Sequence, residues 1–186
     1  MRYQAAGLAV IALMAVTGVA EAQSAEETVA FMVSGVRPGG EEKRVVDADG
    51  GVRTVTPLAG EGVWSLEYER SFAGGEAYRL KLKHELRKVD ACRYDVKITG
   101  DNAAVMMRYD FSRARGMVVL ERDARAPEAT TPVDYLGAKV ERCEPPRKPP
   151  CQEVEGNRFG YIPASEAELR DAYAHFQATY CPQSAF

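Results

Sequence analysis

Tyr78-Arg-Leu-Lys-Leu-Lys-His-Glu-Leu86 alternates apolar and polar residues without a break, His84 included on the apolar side. In an extended strand successive side chains point to opposite faces. Tyr78, Leu80, Leu82, His84 and Leu86 therefore share one face, and Arg79, Lys81, Lys83 and Glu85 share the other. The same period of two recurs on both sides of this run. Trp64, Leu66 and Tyr68 precede it; Cys92, Tyr94, Val96 and Ile98 follow, then Val105, Met107, Tyr109 and Phe111. Turn-forming residues separate the segments: Ala73-Gly-Gly75, Gly100-Asp-Asn102 and Arg115-Gly116. Upstream, Val45–Val46 and Val52–Thr56 flank Asp49-Gly-Gly51, a hairpin signal. Downstream, Met117 to Leu120 reads as a further strand and the stretch from Val133 to Val140 as another strand or an irregular crossing, with a polar loop over 123–132 between them.

Charges on the outer face suggest how neighbours pair. Setting Leu66 opposite Leu80 brings Glu67 to Arg79. Setting Leu82 opposite Val96 brings Glu85 to Arg93 and Lys83 to Asp95, with Tyr94 beside His84. Setting Val96 opposite Met107 brings Arg93 to Asp110 and Asp95 to Arg108. Opposite charges facing across strands contribute a few tenths to about 1 kcal/mol each. The scheme leaves one clash, Lys81 opposite Lys97.

Helices are expected at both ends. Ser24-Ala-Glu-Glu27 and Ser165-Glu-Ala-Glu168 are capping boxes, in which a serine oxygen accepts a first-turn amide and a glutamate reaches back. Val29, Met32, Val33 and Val36 follow the first at helical spacing, and Gly35 and Pro38 stop it. Leu169, Ala172, Tyr173, Phe176 and Tyr180 follow the second. Such stripes must be buried, and the apolar face of the sheet is the available partner. The expected fold is α+β: an antiparallel β-meander of five to seven strands, one face covered by the N- and C-terminal helices. A small β-barrel is the alternative.

The first 22 residues read as a signal peptide. Arg2 precedes an uncharged run from Ala5 to Val19, and Ala20-Glu-Ala22 forms a small-residue cleavage site. The run is too short for a membrane span, which takes about 20 apolar residues. Cleavage near Ala22 leaves residues 23–186 as one α+β domain, periplasmic or secreted, with no membrane span in the mature chain. The net charge of −3 argues against nucleic acid as a general partner. All four cysteines lie in this part, and an even number in an exported chain implies disulfides. Cys143 and Cys151 bracket a proline-rich loop, and Cys92 with Cys181 would tie a strand to the C-terminus. Crossing pairs such as Cys92–Cys143 stay open, because sequence does not determine connectivity.

The chain carries no Gly-x-Ser-x-Gly elbow, phosphate loop or His-Glu-x-x-His. No catalytic residue, metal ligand or cofactor is assigned. Asp47-Ala-Asp49-Gly50 resembles the start of a calcium loop, but Leu58 stands where the closing glutamate belongs. Arg79, Lys81, Lys83, Arg93, Lys97 and Arg108 could form a basic face, although their acidic neighbours argue for a neutralised one. The candidate ligand-binding set is Trp64, Tyr68, Tyr78, His84, Tyr94 and Tyr109, an aromatic face of the sheet that is equally suited to receive the helices. Arg147 and Lys148, flanked by prolines, are the candidate contacts for a protein partner. The functional expectation is a small exported, non-catalytic accessory or binding protein of the cell envelope, with a protein or small-molecule ligand. The alternative is an enzyme using His84 in an aromatic-lined cup.

Overall fold

The computed structural model describes residues 23–101, 103–124, 126–127, 129–144, 151–156 and 158–182. The expected signal peptide and the contacts at Arg147 and Lys148 lie outside these residues.

Six consecutive strands form an antiparallel meander: β1 (Lys43–Val46), β2 (Val52–Pro57), β3 (Val63–Ser71), β4 (Ala77–Lys88), β5 (Arg93–Gly100) and β6 (Ala103–Asp110). The chain then leaves this sheet for β7 (Gly116–Val119) and β8 (Thr131–Leu136). It returns as β9 (Lys139–Cys143) and β10 (Cys151–Glu153), which extend the meander past β6 to eight strands. Finally β11 (Tyr161–Ile162) pairs with β8, completing a three-stranded second sheet in the order β11-β8-β7. The expected α+β architecture is found, and the sheet does not close into a barrel. The segment from Val133 to Val140, read as a strand or an irregular crossing, belongs to two strands in different sheets. Gly137, at φ 85°, makes the turn between them in a left-handed conformation that side chains resist.

Helix α1 (Ala25–Ser34) and helix α2 (Glu166–Thr179) begin at the two capping boxes, with Ser24 and Ser165 as N-caps. Gly35 ends α1 at φ 75°, and a Cβ there would lie 2.9 Å from Pro163. The helices pack against each other, with α1 also touching β4 and β11, and α2 touching β7. Their buried residues, among them Val29, Met32, Leu169 and Phe176, meet Tyr94, Val96 and Val140 of the sheet. Phe111 sits at the centre, in ring contact with Tyr109, Tyr135, Phe159 and Phe176. Tyr135 donates its hydroxyl proton to the Met32 carbonyl at 3.0 Å, joining β8 to α1.

The faces are as the alternation requires, but two of three registers are corrected. Leu66 pairs with Leu82, two residues from the expected Leu80, so Glu67 faces Lys81 and Glu69 faces Arg79. Val96 pairs with Leu86, four residues from the expected Leu82, so Lys97 faces Glu85 and Arg87 faces Asp95. His84 consequently lies between Trp64 and Ile98, and Tyr94 is opposite Lys88. The predicted Lys81–Lys97 clash disappears. The cause of the four-residue offset is Asp90. Its carboxylate accepts from the amides of Cys92 and Arg93, placing the turn beyond Lys88 where β4 was expected to have ended at Leu86. The β5–β6 register is as read, with Val96 opposite Met107 and Asp95 opposite Arg108.

Disulfides join Cys92 to Cys181 and Cys143 to Cys151. Among the described residues no helix is long and apolar enough to cross a membrane.

Candidate functional site

The inner face of the sheet is not filled evenly. Along β4, burial rises from Tyr78, 49% exposed, through half-buried Leu80 and Leu82, to His84 and Leu86 inside. Beside His84 lies a cavity of about 200 Å³. Its floor is the sheet: Val55, Trp64, Leu66, His84, Val96, Ile98 and Tyr109. Its roof is the C-terminal end of α1, at Val33 and Ser34, with the segment Phe159–Pro163. Arg158 holds that segment in place, donating to both carboxylate oxygens of Asp134 at 2.7 Å and to the Ala138 carbonyl.

Trp64 and His84 are cross-strand partners, and their rings stack 5.0 Å apart with planes 9° from parallel. His84 is only 8% exposed. Its Nδ1 is closed off from solvent and has no hydrogen-bond partner among the described residues. Burial without a counter-charge lowers its pKa from 6.5 to about 4, so the ring is neutral at neutral pH. Among the described residues no aspartate or glutamate lines the cavity. The other small polar groups there are already engaged. Ser34 donates its hydroxyl to the Ala30 carbonyl at 2.7 Å, and Thr130 donates to the Pro127 carbonyl at 2.7 Å.

Among the described residues Arg53 is the sole charged one in the lining. It is opposite Tyr68 on β3, as Val55 is opposite Leu66, so it occupies an inward-facing position. Its Nε and Nη2 both donate to one oxygen of Asp47, at 3.0 and 2.7 Å.

The six aromatic and histidine candidates divide into three groups. Trp64, His84 and Tyr109 line the cavity together. Tyr94 has no exposed surface and packs edge-on against Phe176 in the core. Tyr68 and Tyr78 contact each other at 6.1 Å toward the open end of β3 and β4, away from the cavity. Sequence reasoning passed over Arg53, Phe159 and Tyr161. For Arg53 a signal existed: in Val52-Arg-Thr-Val-Thr56 it shares the parity of Val55, a lone charge on the inner side. Phe159 lies in a loop and Tyr161 in a two-residue strand, both too short a stretch for periodicity to give a facing.

The outer face is neutralised. Glu69 pairs with Arg79, Glu67 with Lys81, Glu85 with Lys83, Asp90 with Arg93 and Asp95 with Arg108. Asp47 and Asp49, the start of the calcium-like stretch, are held by Arg53 and Arg70 respectively.

Comparison with protein-family models, with curated proteins and with solved structures returned no match.

Proposed function

We propose that this chain is an exported, disulfide-stabilised binding protein that holds a small, largely apolar ligand against Trp64 and His84. The observation that carries the reading is an apolar cavity walled by Trp64 and His84, whose buried Nδ1 has no hydrogen-bond partner among the described residues. A buried polar atom without a partner costs about 1–3 kcal/mol, and a ligand hydroxyl reached by a turn of the His84 ring relieves that cost whichever nitrogen holds the proton. The size is adequate, since a dry cavity of about 150 Å³ holds benzene. The signal-like first 22 residues and the two disulfides support a place outside the cytoplasm.

Catalysis by His84 has less support. A general base works best with a pKa near the operating pH and an orienting partner. Burial lowers the His84 pKa to about 4, and among the described residues no carboxylate lines its cavity.

The test uses a property of the chain itself. Trp64 is its single tryptophan, so intrinsic emission reports on this cavity. Titration with 1-octanol or benzyl alcohol is expected to change Trp64 emission saturably and to move the His84 ring resonances in NMR spectra. Emission and His84 resonances that stay fixed up to the solubility limit of both alcohols would dismiss the cavity as a binding site.

A further inference from the structure

The cavity has two polar groups with unmet capacity, and they lie at different places. His84 is inside, against Trp64. Arg53 is half-exposed, its side chain 28% accessible, and belongs to both the apolar lining and the surface. Both of its bonds to Asp47 use a single carboxylate oxygen, and they come from Nε and Nη2. Among the described residues Nη1 donates to no protein acceptor. A guanidinium has five N–H donors in a fixed fork, so one edge can hold Asp47 while another faces a second anion.

The surroundings reinforce the sign of charge. Val45, Thr130 and Pro163 line the cavity and also a neighbouring surface groove. That groove carries Lys43 and Arg44 beside Glu168. The positive potential therefore lies at one end of a largely apolar hollow whose lining, among the described residues, includes no carboxylate.

We infer that the ligand is a short-chain anionic amphiphile, a hydroxylated monocarboxylate whose head is taken by Arg53 while its apolar chain runs along Trp64 and brings its hydroxyl to His84. This rests on the binding reading above and adds the ligand's charge and orientation. A cation would be repelled by Arg53, and a neutral chain would leave its outer edge to water alone.

Three probes with the same tail separate the possibilities: octanoate, 1-octanol and octyltrimethylammonium. They are compared by calorimetry and Trp64 emission, at mildly alkaline pH where octanoate is ionised and His84 neutral. Octanoate is expected to bind about tenfold more tightly than octanol, the gain from one charge-assisted hydrogen bond. Arg53→Gln should abolish that advantage, and a saturable Trp64 response to octanol certifies that the variant's cavity is intact. Asp47→Asn, which frees the guanidinium, should tighten octanoate severalfold without affecting octanol. The inference is overturned if octanoate binds no better than octanol, if the ammonium probe matches octanoate, or if Arg53→Gln leaves the octanoate-to-octanol ratio as it was. In those cases octanol binding at Trp64 still upholds the broader reading. If none of the three perturbs Trp64, both fall.

Discussion

His84 stacks on Trp64 under the sheet, and to ionise it there is to strip a charge of water with no counter-charge to receive it. The unfolded chain takes up this proton below 6.5, and the folded one only below about 4. Between those values the unfolded state holds more protons, so stability falls as pH drops through that window and is fully retained above it. The loss amounts to roughly 3 kcal/mol. Urea unfolding at a series of acidic pH values should show this slope in the wild type and a flatter one in His84→Phe, which keeps an aromatic ring on Trp64. Equal slopes would show that His84 is not the group responsible. The alternation in Tyr78–Leu86 was enough to place His84 on the inner face. Its neighbours Trp64 and Ile98 were not legible, because they depend on strand offset.

At the scale of single elements, outward charges were a guide to pairing only where the turn was short. Gly100 pairs directly with Ala103, which leaves the β5–β6 hairpin little freedom, and its register was read correctly. The β3–β4 and β4–β5 offsets were missed by two and four residues. Both errors are even, so every apolar residue stayed on its proper face, and a pattern of period two does not distinguish such slips. Arg108 and Asp95 offer a check on the pairing that was found. Arg108 donates from Nε and Nη2 to the two oxygens of Asp95, at 2.9 and 3.3 Å, and the Asp95 side chain is only 8% exposed. A double-mutant cycle with Asp95→Asn and Arg108→Gln should give a coupling of up to about 1 kcal/mol in chemical unfolding. The same cycle on Glu69 and Arg79, both well exposed, should give none that is measurable. Equal couplings would mean that burial does not strengthen the first pair.

For the molecule as a whole, the two disulfides close loops of very different length. Cys92–Cys181 spans 89 residues and ties the start of β5 to the end of α2, whereas Cys143–Cys151 spans 8 within a pair of adjacent strands. A cross-link that restricts the unfolded chain contributes more as the loop grows, about 4–5 kcal/mol for the long one and about 2–3 kcal/mol for the short one. Replacing Cys92 and Cys181 with alanine should therefore cost more stability than replacing Cys143 and Cys151, as measured by denaturant unfolding. The reverse order would mean that native-state strain or packing, and not loop entropy, sets the effect. The cavity also belongs to this scale. Its walls come from α1, five strands of the meander beyond β1, β1 itself and the Phe159–Pro163 segment.

Local chemistry in the chain was sufficient to place both helix starts, the faces of β3 to β6 and the Asp49-Gly51 hairpin. It was sufficient because capping, turn preference and alternation act over a few residues. Only the tertiary structure decided the strand offsets, the departure of β7, β8 and β11 into a second sheet, and the division of the six aromatic and histidine candidates between cavity, core and open sheet end. Those outcomes follow from packing summed over residues far apart in sequence. Neighbouring even offsets and alternative sheets bury nearly the same side chains, so no local pattern can separate them.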